Sequence, residues 1–349
     1  MVRVAVAGAS GYMGAELLRL LLGHPKVTLT GVTSDRLAGE PLGRAYPHLR
    51  GLSDLRFHDL DAEWLAGVAD VIFLALPHME SQRVVPLLRE QGVKAIDLSA
   101  DYRLHDPTDY VTWYKAPHTD LPGLAEAVYG LPELHRKAIA GASLVASPGC
   151  YPAGAVLATA PLLKRGLAKL DGIVIDGKSG VTGAGAQGRK IDPMYLYTEA
   201  NENVQAYAIA SHRHTPEIEQ ELGALAGSPV RVAFTPHLVP LNRGLFTTAS
   251  VPLAAALSTA ALLDVYREFY AGEPFVRVLD EGERPTTRAV AGSNYCDITV
   301  VADPRTGRAV CVSAIDNLGK GGSANGVQNL NILSGWPERA GLEAPPVYP

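Results

Sequence analysis

The first half of the chain alternates short apolar runs with segments in which apolar residues recur at helical spacing. The apolar runs show no in–out alternation, which is typical of strands buried on both faces. Such strands separated by helices predict a doubly wound α/β domain with a parallel sheet. The predicted strands are Val2–Ala7, Val27–Thr33, Val71–Leu76, Ala95–Leu98 and Leu144–Ala146, and the predicted helices are Met13–Leu22, Asp61–Ala66 and Met79–Gln91.

After Ser147 the pattern changes, and strands predominate around a few helices. This pattern predicts an α+β domain with a largely antiparallel sheet. We therefore expect two domains, residues 1–149 and 150–317, with a last helix within residues 318–349 that packs back on the first domain. The predicted strands here are Gly172–Lys178, Val230–Leu238, Leu245–Pro252, Tyr295–Val301 and Arg308–Ile315, and the predicted helices are Tyr151–Lys164, Thr215–Leu225, Ser258–Tyr270 and Ser323–Leu333.

Composition narrows the class of protein. A length of 349 residues suits two domains, and 31 basic against 36 acidic residues give a net charge of −5, which argues against nucleic-acid binding. With 47% hydrophobic and 19% charged residues, the chain is neither disordered nor a coiled coil.

The sequence also bears on where the protein is found. Neither of its two long uncharged stretches has the about 18 consecutive apolar residues that a membrane-spanning helix needs, and the start of the chain lacks a signal-peptide pattern. Three cysteines indicate a reducing compartment. We expect a cytoplasmic protein that binds no membrane.

A glycine-rich turn joins the first predicted strand to the first predicted helix. Residues Gly8–Gly14 read G-x-x-G-x-x-G, a variant of the dinucleotide-binding pattern of Rossmann-like domains. Glycine lets the backbone approach a pyrophosphate, whose charge is met by amide N–H groups and the helix dipole. At the end of the second strand, Asp35 suits a free ribose 2′-hydroxyl, whereas Ser34 and Arg36 suit a 2′-phosphate. Residues 34–36 slightly favour NADP over NAD. The alternative for Gly8–Gly14 is an ordinary tight turn, and the alternative for residues 34–36 is a solvated loop.

Cys150 lies in the motif SPGCYP, at the start of a predicted helix. A helix N-terminus favours a thiolate over a thiol, and Pro148 and Pro152 stiffen the turn, as a positioned nucleophile requires. Cys296 and Cys311 lie inside predicted strands and are interpreted as packed hydrophobic residues. Cys150 is therefore the candidate nucleophile, with an inert buried thiol as the alternative.

Two histidines precede the predicted helix Thr215–Leu225. His212 and His214 are two residues apart, so an extended segment points both the same way. A histidine here could act as base or acid toward Cys150, oriented by a nearby carboxylate. A capping segment and a metal site are the alternatives. No Cys-x-x-Cys or His-Glu-x-x-His motif accompanies the pair, so we expect no metal.

Two further segments carry candidate ligand contacts. Residues 178–190, KSGVTGAGAQGRK, combine four glycines with three basic residues, and this loop, which includes Ser179 and Gly180, could wrap a phosphate or a nicotinamide; a plain mobile loop is the alternative. Arg103 follows a parallel strand at its carboxyl end, the usual ligand side. Its guanidinium could hold a phosphate or carboxylate, unless it forms a structural ion pair with a nearby aspartate.

Together these parts predict acyl-thioester redox chemistry. Hydride from a nicotinamide does not readily reduce a free carboxylate, whereas an acyl group on sulfur is far more electrophilic. Cys150 would attack an acyl phosphate and expel phosphate, and the thioester would take hydride from the cofactor. The thiohemiacetal would then collapse to an aldehyde, with His214 supplying the proton. A cysteine hydrolase or acyltransferase with an incidental glycine turn is the alternative from another class. A dinucleotide-sensing regulator would need a DNA-binding helix pair or a basic arm, and the sequence shows neither.

Six motifs, in the same order, resemble those of the N-acetyl-gamma-glutamyl-phosphate reductase family of arginine biosynthesis. They are GASGYMGAELLRLL from Gly8, LSADYRL from Leu98, SPGCYP around Cys150, KSGVTGAG from Lys178, SHRHTPEIEQEL from Ser211 and SAIDNLGKGG from Ser313. The resemblance covers essentially the whole chain. It implies NADPH-dependent reduction of N-acetyl-gamma-glutamyl phosphate to N-acetylglutamate 5-semialdehyde, with release of phosphate. It also implies that the protein is a homodimer or a homotetramer.

The resemblance also implies roles for individual residues. Cys150 is the nucleophile, His214 the acid–base group and Glu217 a group that orients it, while Arg103 binds substrate. Ala153 stands where the family usually has threonine, which puts a local cap or a substrate contact in doubt but leaves the nucleophile in place. Together with the glycine turn and the glycine-rich loop, the positions assigned to NADP(H) are Gly8, Ser10, Gly11, Tyr12, Met13, Gly14, Ser34, Asp35, Arg36, Ser179, Gly180 and Asn317.

Two related families are alternatives. The lysine-pathway enzyme that reduces an aminoadipyl phosphate attached to a carrier protein lacks the KSG-x-[ST]-GAG form found here from Lys178. Aspartate-semialdehyde dehydrogenase shares the architecture but lacks the HRHTPE segment from His212. Both differences favour the arginine-pathway substrate.

Overall fold

The computed structural model describes residues 1–186 and 192–348. The basic end of the predicted glycine-rich loop, with Gly188, Arg189 and Lys190, lies outside the described residues. Within these limits, no helix combines the length and the apolar character needed to cross a membrane.

The chain is divided into two compact units. Unit 1 contains Met1–Pro148 and Gly322–Ala344, and unit 2 contains Gly149–Gly321 and the residues from Pro345 onward. The nucleophile candidate Cys150 therefore belongs to unit 2, and the glycine turn belongs to unit 1.

Unit 1 is built on a seven-stranded sheet in which all neighbouring strands run parallel. Its strands are β1 (Val2–Ala7), β2 (Val27–Thr33), β3 (Phe57–His58), β4 (Val71–Leu74), β5 (Lys94–Asp97), β6 (Val128–Tyr129) and β7 (Leu144–Ala146). The strand order is β3-β2-β1-β4-β5-β7-β6. Residues Val4–Ala7 and the whole of β4 are buried because helices cover both faces of the sheet. The predicted doubly wound, Rossmann-like fold is confirmed.

Short helices follow most strands of this sheet. They are α1 (Tyr12–Leu22), α2 (Leu42–Ala45), α3 (Ala62–Val68), α4 (Ser81–Glu90), α5 (Pro107–Asp109), α6 (Leu121–Glu126) and α7 (Pro132–Ala140), with a 3₁₀ turn at Pro47–Leu49 and a π turn at Tyr110–Tyr114. Side chains of Asp61, Asp106 and Asp120 accept N–H groups at the starts of α3, α5 and α6. These caps explain why such short helices begin where they do.

Unit 2 is built on a mixed, mostly antiparallel sheet. Its strands are β8 (Ile173–Ser179), β9 (Gln205–Ala206), β10 (Val232–Leu238), β11 (Leu245–Pro252), β12 (Val276–Val278), β13 (Cys296–Asp303) and β14 (Arg308–Ile315). The order is β12-β13-β14-β11-β8-β10-β9, with β8–β10 and β12–β13 parallel and the other neighbours antiparallel. Its helices are α8 (Cys150–Lys164), α9 (Tyr197–Ala200), α10 (Thr215–Ala226) and α11 (Thr259–Phe269), and its 3₁₀ turns are Val181–Ala184, Pro193–Tyr195 and Thr287–Val290. The predicted α+β architecture is confirmed.

Helix α8 is buried from Tyr151 to Leu163, which its small and aliphatic side chains permit. Pro161 has no N–H to donate to the carbonyl of Leu157, four residues earlier. The hydroxyl of Tyr270 donates to that carbonyl instead. The helix therefore stays buried to its last turn without leaving that carbonyl unsatisfied.

After a π turn at Gly319–Ser323 the chain returns to unit 1 through α12 (Ala324–Leu333), which is buried on all sides. The side-chain amides of Asn325 and Asn329 both donate to the carbonyl of Gly130, at 2.7 and 2.9 Å. These bonds anchor the last helix beside β6 and β7.

The structure adds elements that the sequence pattern does not predict. These include the very short strands β3, β6, β9 and β12 and the five helices α2, α5, α6, α7 and α9. Two- and three-residue strands are too short to show a periodicity of apolar residues, so their pairing is decided by the neighbouring strands.

Candidate active site

The glycine turn has the geometry that a close approach of backbone and ligand requires. Gly8 has φ +76°, and a Cβ there would lie 2.5 Å from the carbonyl oxygen of Ala75. A Cβ at Gly14 would lie 2.4 Å from the carbonyl oxygen of Ala9. At Gly11, the N-cap of α1, a Cβ would meet open space. Gly8 and Gly14 therefore shape the turn, and the start of α1 has room for an anion.

The carboxyl end of β2 is tied to this turn. The N–H of Gly8 donates to Thr33 Oγ1 at 3.1 Å, and the N–H of Ala9 donates to the Thr33 carbonyl at 2.9 Å. Ser34, which follows, is buried. The predicted ribose-binding residues thus begin directly beside the predicted phosphate-binding residues.

Asp35 and Arg36 are exposed, and their surroundings differ. The Asp35 carboxylate accepts the backbone N–H of Leu60 at 3.4 Å. Arg36 lies within electrostatic reach of the Tyr46 hydroxyl, which itself contacts the glycine turn. Arg36 is therefore linked to the glycine turn through Tyr46, and Asp35 is linked to the backbone at Leu60.

Cys150 is the first residue of α8, with Gly149 as its N-cap, and its side chain is partly exposed. The first N–H groups of a helix have no intrahelical acceptor, and they favour negative charge on a group placed there. Cys296 and Cys311 are completely buried in β13 and β14, and burial raises the pKa of the Cys311 thiol to about 12. The structure therefore distinguishes one cysteine at a helix N-terminus from two that act as packed side chains.

The imidazole of His214 packs directly on Gly149. A Cβ at Gly149 would lie 2.5 Å from His214 Nε2. His214 is the N-cap of α10, and its ring makes an edge contact with that of Tyr151 at 5.9 Å. The imidazole therefore lies against the residue that precedes Cys150, and only a glycine at position 149 leaves it that space.

Glu217 holds the loop that presents the nucleophile. It lies in the first turn of α10, is 1% exposed, and its Oε1 accepts the backbone N–H of Gly149 at 2.8 Å. A hydrogen bond to a carboxylate is stronger than one between neutral groups. This contact indicates that Glu217 fixes the peptide before Cys150. The orientation of His214 by Glu217, which the resemblance implies, stays a prediction.

Aromatic side chains surround His212. Its ring centroid lies 5.5 Å from Tyr151, 5.4 Å from Tyr207 and 4.7 Å from His214, and its Nδ1 accepts the backbone N–H of His214 at 3.1 Å. Burial, aided by the charge of Arg213, lowers the pKa of His212 to about 4. The ring is therefore neutral at neutral pH, as an accepting Nδ1 requires. Among the described residues, no three His, Cys, Asp or Glu side chains are grouped to hold a metal ion.

Ser179, Gly180 and Asn317 lie together in unit 2. The buried Asn317 accepts the N–H of Gly244 at 2.8 Å and donates to Thr182 Oγ1 at 2.9 Å. The N–H of Gly180 donates to the carbonyl of Gly244 at 2.9 Å. Asn317 therefore anchors the start of the glycine-rich loop, a role that spacing in the sequence does not indicate.

Arg103 lies in unit 1 at the carboxyl ends of β5 and β7, on the side of the sheet that the sequence predicts. It is 7% exposed, and it donates from Nε to the carbonyl of Ser147 at 2.7 Å and from Nη2 to the carbonyl of Leu98 at 2.8 Å. These bonds connect two strand ends, one of which leads into the SPGC segment. The guanidinium is thus held in one orientation, as a ligand-binding group requires.

Sequence reasoning misses two residues that shape unit 2 near the nucleophile. Asp316 is completely buried, pairs with Arg243 at 2.9 Å and accepts three backbone N–H groups. At Gly321, a Cβ would lie 2.8 Å from the Cβ of Cys150. Both lie within the SAIDNLGKGG motif, residues 313–322. The motif was the available signal, but it does not distinguish a residue that makes a structural contact from one that binds a ligand.

Comparison with known proteins identifies the family. Models of the semialdehyde dehydrogenase NAD binding domain and dimerisation domain match residues 3–142 and 150–317. The N-acetyl-gamma-glutamyl-phosphate reductases of Geobacter sp. (strain M21) and Symbiobacterium thermophilum are 50% and 51% identical to this chain over 350 residues, covering 100% of this chain and 100% and 99% of theirs. The chain belongs to the N-acetyl-gamma-glutamyl-phosphate reductase family. The predicted resemblance is confirmed, and this reductase family consists of NAD(P)-dependent oxidoreductases.

Solved structures of a neighbouring enzyme share the fold of this reductase. Aspartate semialdehyde dehydrogenase II from Vibrio cholerae, complexed with ASA, has a TM-score of 0.73 at 18% identity, covering 96% of this chain and 98% of the other. Aspartate semialdehyde dehydrogenase with NADP from Candida albicans has a TM-score of 0.70 at 17% identity, with the same coverage. The two-unit architecture therefore recurs at low sequence identity.

Proposed function

We propose that this chain reduces N-acetyl-gamma-glutamyl phosphate to N-acetylglutamate 5-semialdehyde and phosphate, with NADPH as the reductant. The observation that carries the proposal is the geometry at the nucleophile. Cys150 begins a buried helix, and the imidazole of His214 packs on the adjacent Gly149. The names of relatives that are about half identical over the whole chain support the choice of substrate.

Unit 1 offers a fitting cradle for the dinucleotide. The space that a Cβ at Gly8 or Gly14 would fill is already occupied by backbone, so the turn is as tight as pyrophosphate binding requires. We assign the 2′-phosphate of NADPH to Arg36 and Ser34, because a guanidinium and a hydroxyl donate hydrogen bonds to a phosphate, whereas the Asp35 carboxylate would repel it. We assign the pyrophosphate to the residues of the turn, which are Gly8, Ser10, Gly11, Tyr12, Met13 and Gly14. We assign the remaining cofactor contacts to Ser179, Gly180 and Asn317.

The chemistry begins with the sulfur of Cys150, whose proton His214 takes. The thiolate attacks the acyl carbon, a C–S bond forms, the C–O bond to phosphate breaks, and phosphate leaves with that electron pair. When bound, the nicotinamide supplies hydride to the thioester carbonyl. His214 protonates the resulting oxygen, and it takes the proton back as the C–S bond of the thiohemiacetal breaks. The aldehyde leaves and the thiolate is regenerated.

Two more residues support this sequence of steps. Glu217 fixes the peptide N–H before Cys150, so that the sulfur stays at the helix N-terminus. We assign substrate binding to Arg103, whose guanidinium is held by two carbonyls at the carboxyl ends of β5 and β7. In this proposal residues 1–149, with 318–349, form the cofactor domain, and 150–317 form the catalytic domain.

We further propose that the reductase works as a homodimer or homotetramer in the cytoplasm. Side chains alternate along β8 and β11, so one face of the unit 2 sheet is buried and the other is partly exposed. Val174 and Val301 are 39% and 46% exposed. The match of residues 150–317 to a dimerisation domain supports association through this unit. Light scattering would distinguish two copies from four.

The test is an assay of three acyl phosphates with NADPH: acetylglutamyl, carrier-bound aminoadipyl and aspartyl phosphate. We expect turnover of the first, and preference for either of the others would overturn the substrate assignment. Cys150→Ser should abolish turnover while the dissociation constant of NADPH stays within about two-fold, because serine lacks the nucleophilic thiolate but keeps the fold. Substantial activity of this variant would contradict the covalent mechanism.

A further inference from the structure

Tyr46 contacts the glycine turn from a segment that belongs to none of the sequence motifs. It directly follows α2, and its hydroxyl donates toward the carbonyl oxygens of Ala9 and Gly11, at 3.1 and 3.2 Å. Both acceptors lie within the turn Gly8–Gly14. A single side chain therefore binds two of the peptide groups that form the turn.

The hydroxyl has one proton, which the two carbonyls share, and this shared hydrogen bond fixes the direction of two N–H groups. In a planar trans peptide the C=O of one residue and the N–H of the next point in opposite directions. Holding the carbonyl of Ala9 therefore directs the N–H of Ser10 away from Tyr46, and holding the carbonyl of Gly11 does the same for the N–H of Tyr12. The Gly11 carbonyl also accepts the N–H of Ala15 at 2.9 Å, so the N–H of Tyr12 points out of the N-terminus of α1.

The tyrosine is itself held in place. Its ring lies 6.4 Å from that of Phe57, which is 1% exposed, and 5.8 Å from that of His48. Burial raises the pKa of Tyr46 to about 12, so its hydroxyl stays protonated and remains a donor over the physiological range. A packed ring with a protonated hydroxyl provides a rigid donor.

We propose that Tyr46 is a positioning residue for the dinucleotide, which holds the turn so that the N–H groups of Ser10 and Tyr12 face the pyrophosphate. The inference rests on the proposed function in one respect, namely that this turn binds the cofactor. The hydrogen bonds from Tyr46 to the turn go to backbone carbonyls, so it acts on the ligand through the backbone.

The test compares Tyr46→Phe with the wild type in the binding of two fragments, 2′-phospho-ADP-ribose and adenosine 2′-monophosphate. Only the first contains a pyrophosphate. Loss of a hydrogen bond of ordinary strength should weaken binding of the first by about 3- to 10-fold in calorimetry, and leave the second within about 1.5-fold. NADPH fluorescence should show the same loss as the first fragment.

Tyr270→Phe is the matched control, because it also removes a hydroxyl that donates to a backbone carbonyl, that of Leu157 in α8. It should lower the melting temperature without changing either dissociation constant. A second measurement is the ¹³C chemical shift of the Ala9 and Gly11 carbonyls in the free protein, which should change in Tyr46→Phe because these carbonyls lose the hydroxyl donor. This readout does not depend on ligand binding.

Two outcomes would overturn the inference. One is unchanged binding of 2′-phospho-ADP-ribose by Tyr46→Phe, and the other is an equal loss for both fragments, which would indicate general damage to unit 1. Failure of the wild type to bind NADPH would instead refute the proposed function, whatever the variant does. The two failures are therefore distinguishable.

Discussion

Replacement of Gly149 by alanine should disable the nucleophile by a purely steric route. Gly149 has φ −66° and ψ 153°, an extended conformation that alanine adopts without strain. The added Cβ, however, would lie 2.5 Å from Nε2 and 2.7 Å from Cε1 of His214. The backbone conformation is therefore not the obstacle, and the imidazole is.

The size of the effect follows from the required displacement. A comfortable contact between such atoms is about 3.5 Å, so His214 or the loop carrying Cys150 must move by about 1 Å. A misplacement of about 1 Å between reacting groups costs on the order of 100-fold in rate. Overpacking of this kind also costs about 1–3 kcal/mol in the free energy of unfolding. We expect kcat to fall about 100-fold, with little change in the dissociation constant of NADPH.

The assay is single-turnover release of phosphate, together with urea unfolding. Gly67→Ala is the matched control, because Gly67 lies in α3 and a Cβ there meets nothing within 4 Å. The control should keep wild-type kinetics and gain about 0.5–1 kcal/mol in stability, since alanine is the better helix former. Phosphate release by Gly149→Ala within about three-fold of the wild type would refute the inferred contact between His214 and Gly149.

Three further predictions concern single side chains. Arg36→Ala should raise the Michaelis constant for NADPH about 10-fold and leave that for NADH unchanged, and an equal effect on both would contradict the 2′-phosphate assignment. Glu217→Gln keeps an acceptor for the Gly149 N–H, so its kcat should be several-fold higher than that of Glu217→Ala. Equal kcat values for the two variants would contradict the role of Glu217 in holding the Gly149 peptide. Burial lowers the pKa of His212 to about 4 in the folded protein, against about 6.5 in the unfolded chain. Between these two pH values the unfolded chain binds more protons than the folded protein does. The free energy of unfolding therefore decreases as the pH falls from about 6.5 to 4. In urea titrations His212→Phe should remove up to about 3 kcal/mol of that loss, and an unchanged pH dependence would contradict the burial argument.

The local features of this reductase could be read from its sequence. The strands β1, β2, β7, β11 and β14 lie where the apolar pattern predicts them, because a buried strand or helix imposes its own periodicity on neighbouring residues. The turn Gly8–Gly14 was recognisable because its glycine spacing stands between one strand and one helix. Of the contacts that require glycine there, that of Gly14 with Ala9 is local, whereas that of Gly8 with Ala75 depends on the packing of a distant segment. Cys150 was recognisable because a helix start is a local signal.

Only the tertiary structure decided which of these residues meet. Glu217 and Gly149 are 68 positions apart, and Tyr46 lies 37 and 35 positions from the carbonyls that it binds. No periodicity links residues so far apart, because their contact depends on how whole helices and strands pack. The sequence by itself therefore determined the elements and the kinds of reactive group, and the packing determined that Glu217 holds the Gly149 peptide and that Tyr46 holds the glycine turn.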